Sequence, residues 1–287
     1  LLGMAMNFLA AEGACNPGIE FAARTVLRVG VALLGIRITL AQIVSLGWHP
    51  VALVALSVAL TILLSIVVAR ALGFEPLFGM LTGGATAICG ASAALALAAA
   101  LPAHPGKERA TLFTIIGVSA LSTLAMIAYP MIVNALGMTP QAAGVFLGTT
   151  IHDVAQVVGA GYSVSHETGD VATVVKLMRV AMLLPVIVCA AMITRARGGG
   201  EGGTRPPLLP WFAVGFILLA AVNSTGWIAP AAQQFGNELS RWCLVTAISA
   251  IGMKTQLREL VSVGVKPIAL MLGETVFLAL LVLALLR

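Results

Sequence analysis

An all-α polytopic membrane protein is the fold class this sequence predicts, on three grounds. Hydrophobic residues fill 60% of its 287 positions and charged residues 9%, and the mean hydropathy of +1.04 is far above that of a water-soluble chain. Apolar runs of about 20 residues, each able to cross a hydrocarbon layer of roughly 30 Å, recur at 50–69, 113–133, 171–193, 211–222 with its flanks, and 267–286. Two short polar stretches, 86–93 and 149–156, interrupt this pattern and copy each other at an offset of 63 residues, Ile88 aligning with Ile151, Cys89 with His152 and Ser92 with Ala155. Paired interruptions in corresponding places of an internally repeated membrane chain point to a transporter binding site.

The chain opens at Leu1 inside an apolar stretch, which predicts a partial helix over 1–12 and an N-terminal part preceding it. Helices follow near 18–36, 50–71, 107–133, 170–194, 210–229, 236–252 and 266–286, with amphipathic pieces at 38–46 and 255–263. The interrupted elements occupy 76–103 and 139–163. A glycine-rich stretch at 198–206, running into prolines at 206 and 207, is a flexible loop. It joins two halves of one structure, so 1–287 reads as a single integral membrane transport domain.

A second repeat relates 1–71 to 210–287. At an offset of 217, Arg24 meets Arg241, Gly35 meets Gly252, Arg37 meets Lys254 and Pro50 meets Pro267. Transporter repeats are commonly inverted, with equivalent helices running oppositely across the membrane. If 76–103 and 139–163 both crossed the bilayer, they would run parallel. As re-entrant hairpins entering from opposite faces, they satisfy the inversion, and half-segments of about 9–13 residues reach about 14–20 Å. The hairpin topology also puts eleven basic residues on one face against three on the other, which makes the first face cytoplasmic by the positive-inside rule.

Within the interruptions, Gly83, Gly84 and Gly90 are expected to free the first tip and Gly148 the second. Half-helices beginning near Gly90 and Ile151 aim N–H groups at mid-membrane, where positive dipole ends favour anions. Thr86, Cys89, Ser92, Thr149, Thr150 and Gln156 are the expected substrate-binding companions, and the alternative for such small residues is plain helix packing. His152 and Asp153 are the expected proton- or Na⁺-coupling pair, and Asp153 is equally suited to capping a helix. Lys176 and Arg179 lie on one face of the helix starting near Asp170, about 9 and 13 Å in. Buried that deep, Arg179 needs an anionic partner, either Asp153 or a bound anion. Arg37 and Lys254 answer helix dipoles, Arg24 and Arg241 anchor helix ends, and Glu274 and Asn223 have no assigned partner.

Other classes are not favoured. The net charge of +5 belongs to loops and argues orientation, not nucleic-acid binding. Cys15, Cys89, Cys189 and Cys243 lack metal-ligand spacing. No nucleotide-binding loop or nucleophile elbow is present, so no cofactor, metal or enzymatic activity is expected. An intramembrane enzyme using Cys89 or Ser92 with His152 would lack an orienting third group.

At 33–40, 87–93, 150–158 and 176–185 the sequence resembles the YeiH-type sulfate exporter family of bacterial inner-membrane proteins. The His-acid-Val-Ala-Gln-Val-Val string is the specific part; the acid after the His is often Glu in that family, where Asp153 stands here. The resemblance implies a plan similar to bile-acid symporters and cation–proton antiporters, with two interrupted elements meeting at the site. It implies a secondary transporter of a small anion (sulfate, sulfite or a sulfonate), coupled to H⁺ or Na⁺, that works in a lipid bilayer and can form a homo-oligomer. The alternatives are a cation/proton antiporter with Asp153 as carrier, or a sensor or scaffold without transport.

Overall fold

A computed structural model describes residues 15–36, 39, 47–102, 106–196, 211–254 and 265–286. The expected pieces at 1–12, 38–46, 198–206 and 255–263 lie outside these. The described elements are α1 (Asn16–Phe21), a π turn (Ala22–Val26), α2 (Leu27–Leu33), a 3-10 turn (Leu34–Ile36), α3 (Trp48–Ala71), α4 (Pro76–Ala87), α5 (Ala91–Ala100) and α6 (Lys107–Ala135). They continue with α7 (Pro140–Thr150), α8 (Val154–Val164), α9 (His166–Ala181), α10 (Leu183–Ala196), α11 (Trp211–Ser224), α12 (Pro230–Lys254) and α13 (Val265–Leu285). No strand occurs among the described residues. Four helices are long and apolar enough to cross a membrane: α3, α6, the run His166–Ala190 and α13.

The described residues group into two compact units. The first holds α1, α2, α11 and α12. In it, Gly30 lets α2 approach α12: a Cβ there would stand 3.0 Å from that of Cys243, and Ser240 Oγ donates to the Gly30 carbonyl at 2.8 Å. Asn223, unassigned from sequence, accepts from Gln233 Nε2 at 2.7 Å. Arg241, expected at a helix end, is the twelfth of the 25 residues of α12, because Pro230 starts that helix six residues earlier than expected. It makes an exposed pair with Glu238. The other repeat-matched basic residues, Arg24, Arg37 and Lys254, have no described side chain.

The second unit holds the two interrupted elements, and the chain reverses at each. Pro76 and Pro140 stand in the first turns of α4 and α7, where a missing N–H costs nothing. Beyond α4, Gly90 turns the chain with φ +65° and ψ −129°, a conformation closed to other residues. A Cβ at Gly84 would then overlap the Leu97 side chain, although one continuous helix would hold those positions about 20 Å apart. In the second element, Gly144 faces Val171 and Gly148 faces Val175, so α7 runs along α9. Gly161 of α8 faces Gly169, one residue turn away through Ser165, so α8 runs against α9 and α7 against α8. Both elements are helical hairpins.

The 29-residue α6, about 43 Å long, shows how the hairpins face. Lys107 Nζ at its start donates to the Leu101 carbonyl at the base of the first hairpin (2.7 Å), and Gly90 at that hairpin's tip lies against Val118. Farther on, Ser122 Oγ accepts from the Asp153 N–H at the second tip (3.0 Å), and Tyr129 stacks obliquely on Phe146 toward the second base (centroids 5.3 Å). The hairpins therefore approach from opposite ends of α6, and their tips meet four residues, about 6 Å, apart along it. α13 lies alongside, with Met271 against Gly117 and Leu278 and Val282 in the cluster around Phe146.

Gly83, Gly84 and Gly148, expected to loosen the tips, instead lie within α4 and α7. They are close-approach positions: a Cβ at Gly148 would sit 2.6 Å from the Ala172 carbonyl oxygen, and one at Gly83 would sit 2.5 Å from Ser65 Cβ. Without a hydrophobic drive between helices in lipid, such small-residue contacts hold them together. Gly148→Leu is expected to pry α7 from α9 and cost about 1–3 kcal/mol, read as a lowered midpoint in thermal unfolding of the detergent-solubilised protein.

Candidate functional site

The sequence of α9 sets the depth of the site. Ser165 caps it, accepting from the Thr168 N–H at 3.0 Å, so the helix starts at His166 and not near Asp170. Lys176 and Arg179 then lie ten and thirteen residues from its start, about 15 and 20 Å in, level with the hairpin tips. Both side chains are completely buried.

Neither finds the expected acidic partner. Lys176 Nζ donates to the carbonyls of Ile88 (2.7 Å) and Ile151 (3.0 Å). Arg179 donates through Nε to Ala87 (2.6 Å), through Nη2 to Thr86 (2.7 Å), and through Nη1 to Thr149 and to Ile151 (3.3 Å). These are the last carbonyls of α4 and α7, which have no intrahelical donor and carry the negative dipole ends of both helices. All of these residues are fully buried, away from water that could satisfy the carbonyls. The guanidinium fork and the ammonium do so, and they join equivalent positions: Thr86 with Thr149 and Ile88 with Ile151 are the pairs at offset 63. These bonds use two of three lysine and four of five arginine donors.

His152, fully buried, bridges the tips. Its Nδ1 lies 2.9 Å from the Thr86 carbonyl and its Nε2 3.0 Å from Thr275 Oγ1. A carbonyl only accepts, so Nδ1 carries hydrogen. Thr275 Oγ1 also lies 2.8 Å from the Met271 carbonyl, so its hydroxyl can turn either toward that carbonyl or toward Nε2. Asp153 caps α8, its Oδ1 accepting from the Ala155 N–H at 2.8 Å.

The other expected residues divide. Thr86 Oγ1 donates to Glu274 (2.8 Å), and Thr150 Oγ1 to the Phe146 carbonyl of its own helix (2.7 Å). Gln156 Nε2 donates to Thr123 Oγ1 at 3.0 Å, while Gln156 Oε1 and Thr149 Oγ1 are buried without a partner. Cys89 is a buried free thiol in the first turn, and Gly90 makes that turn. Ser92 is exposed, so it stands outside the buried cluster. Sequence reading missed Ser122, Thr123 and Thr275, and left Glu274 without the partners it has: Ser65, Thr82 and Thr86. The available signal was a helical spacing of hydroxyls, Ser57, Thr61 and Ser65, opposite an acid in mid-helix.

Four apolar helices of spanning length, enclosing two broken-helix hairpins whose ends are held by buried cations, define an all-helical membrane protein. The chain belongs to the family described as Conserved hypothetical protein 698, whose model matches residues 1–271. It is 56% identical over 285 residues to a UPF0324 membrane protein of Chlorobaculum tepidum, covering 99% of this chain and 80% of that one. It is 53% identical over 285 residues to the UPF0324 membrane protein TauZ of Paracoccus denitrificans (98% and 84%), and 49% identical over 286 residues to a UPF0324 membrane protein of Rhizobium meliloti (99% and 83%). No solved structure matches.

Removing the fork of Arg179 orphans several buried carbonyls, each worth about 1–3 kcal/mol. Arg179→Ala is expected to lower the thermal unfolding midpoint sharply, and Arg179→Lys to recover only part of the loss. Thr149→Val, which replaces a buried unpartnered hydroxyl by a methyl of the same shape, is expected to leave the thermal midpoint at or above that of the parent.

Proposed function

We propose that this protein is a polytopic secondary active transporter of a small anion, such as sulfate, sulfite or a sulfonate, which it exports across the bacterial inner membrane coupled to H⁺ or Na⁺. The observation that carries the reading is the meeting of two hairpin tips partway along spanning helices, fastened by Lys176 and Arg179. Broken helices meeting in this way are how transporters place backbone groups at a solute. The first halves of the hairpins end in carbonyls that the two cations neutralise. The second halves begin at the tips, and α5 has no side-chain cap on its N–H groups.

The chemistry left over at the tips favours an anion. Lys176 and Arg179 bring two positive charges where Asp153 is the one acid of the tips, and each retains an N–H beyond its carbonyl bonds. Thr149 Oγ1 and Gln156 supply further polar groups without a full set of partners. The pairing of carbonyls at offset 63 supports an inverted repeat with a pseudo-two-fold axis near Lys176. Both nitrogens of His152 bond to Thr86 and Thr275, not to Cys89 or Ser92, which supports a carrier over an enzyme.

Orientation follows from charge. Arg70, Lys107, Arg109 and Lys266 gather at the end of the second unit that holds the base of the first hairpin, which the positive-inside rule makes cytoplasmic. In a background without the natural cysteines, a cysteine at Glu108 is expected to react with an impermeant thiol reagent from the cytoplasmic side alone, and one at Gly137 from the outside alone. Labelling of both from one side would exclude opposed re-entrant hairpins.

Transport is tested by flux of labelled sulfate, sulfite and a sulfonate in proteoliposomes. Thr149→Val and Gln156→Leu should raise the half-saturating anion concentration about tenfold, the loss of one hydrogen bond to a charged ligand, with stability kept. Flux unchanged in both variants excludes this anion site. Flux of Na⁺ or H⁺ that needs no anion would instead identify an antiporter.

A further inference from the structure

Glu274 is the tenth residue of the 21-residue α13, half-way along a spanning helix, and is only 1% exposed. No basic side chain among the described residues pairs with it. Hydroxyls surround it instead. Its Oε1 is in hydrogen-bond contact with Ser65 Oγ and lies 2.8 Å from Thr82 Oγ1, and its Oε2 lies 2.8 Å from Thr86 Oγ1. Ser65 Oγ also stands 2.6 Å from the Gly79 carbonyl oxygen and 3.1 Å from Thr82 Oγ1.

The hydrogens in this cluster can be counted. Gly79 O, Ser65 Oγ, Glu274 Oε1 and Thr82 Oγ1 form a chain of three close contacts, closed by the longer one between the two hydroxyls. An ionised carboxylate and a carbonyl bring no hydrogen, and each hydroxyl brings one. Ser65 cannot give its single hydrogen to both Gly79 and Glu274. A proton on Oε1 removes the shortfall: Glu274 donates to Ser65, Ser65 to the Gly79 carbonyl, and Thr82 to Glu274. Separations of 2.6–2.8 Å are those of shared hydrogens. Oxygens ligating a cation at about 2.4 Å stand about 3.4 Å apart at octahedral angles, so this arrangement is drawn in around a proton and not around a metal ion.

We infer that Glu274 carries a dissociable proton, held among Ser65, Thr82 and Thr86, and that this carboxyl is the proton-coupling group of the protein. The coupling role rests on the transporter reading above; the proton itself does not. It moves the expected coupling site from His152 and Asp153 to a residue on another helix. Proton loss leaves a buried negative charge and sets Gly79 and the carboxylate in competition for one hydroxyl, which loosens α4 against α3. The change reaches the tips through two residues. Thr86 bonds Glu274 through its hydroxyl, and Arg179 and His152 through its carbonyl. Thr275, the next residue of α13, bonds His152. On α3, Ser57 and Thr61 precede Ser65 at one-turn steps, both buried and both unpartnered, and they extend the hydroxyl line away from the carboxyl. The titratable groups nearest the cluster are Lys176 and Arg179 on α9, His152 and Asp153 at the second tip, Cys89 at the first and Tyr129 on α6, which shares a core cluster with Leu278 and Val282 of α13; α3 and α4 present only hydroxyls and carbonyls to Glu274.

The test is infrared difference spectroscopy of the full chain in liposomes across a pH series, which reads the carbonyl stretch of a protonated carboxylic acid without needing any transport. Wild type is expected to show that band near neutral pH and to lose it in alkali. Near neutral pH, where ordinary carboxyls are ionised, Glu274→Gln should lack it, Asp153→Asn should keep it, and Ser65→Ala should move its titration. A wild-type protein without the band near neutral pH, or a neutral-pH band that survives Glu274→Gln, overturns the assignment. So does Na⁺-dependent thermal stabilisation that requires Glu274 in a protein lacking the band, which would make the cage a Na⁺ site. In proteoliposomes, wild-type anion flux should follow an imposed pH gradient and Glu274→Gln flux should not. Gradient-driven flux in the Gln variant overturns the coupling role, whereas absence of anion flux from wild type counts against the transporter reading and leaves the infrared result standing.

Discussion

A helix that stops inside a buried core leaves its last carbonyls without donors, and this constraint organises the second unit. Two helices stop in this way, α4 and α7, and Lys176 with Arg179 answer both. Burying two cations is itself costly, and buried cations in membranes usually meet an acid. Here the compensation comes from main-chain dipoles, six bonds in all. The clamp needs α9 to pass both tips at the same level, which requires small residues along its neighbours. Gly144 and Gly148 on α7, and Gly161 on α8, meet that requirement. Packing and electrostatics are therefore one problem in this unit, solved along one helix.

The same geometry explains why polar residues cluster where they do. Ser122 and Thr123 on α6 serve the second tip, Ser65 on α3 and Thr82 on α4 serve Glu274, and Thr275 on α13 serves His152. Each long helix contributes its hydroxyls at the level of the tips and is otherwise apolar toward the surface, with Leu63, Val67, Leu124, Ile127, Leu272 and Leu280 exposed. The belt of side chains facing outward is what a helix surface in lipid requires.

Much of this was legible in the amino-acid order, because membrane helices announce themselves by length and apolarity, and breaks in them by glycine and polar residues. The two interrupted elements, their mutual resemblance and the importance of Lys176 and Arg179 all come from that level. The partners of the cations do not. Main-chain carbonyls have no residue type, so a search for acids beside Arg179 could never find Thr86, Ala87 and Thr149. Glu274 is illegible for a related reason: its partners are hydroxyls on α3 and α4, 188 to 209 positions away, and serine and threonine are too common in membrane helices to stand out. Ser165 is an inconspicuous cap, so the amino-acid order alone does not mark the start of α9. Gly83, Gly84 and Gly148 resemble hinges in the sequence, whereas tight helix contact, a tertiary property, is what demands them.

The clamp also imposes an order on biogenesis. The carbonyl of Ile88 waits for a lysine 88 residues downstream, and that of Thr86 for an arginine 93 downstream. At roughly 5–20 residues per second of synthesis, the first hairpin spends several seconds with its broken end unanswered. The end of the first hairpin can therefore be closed only after α9 has been made.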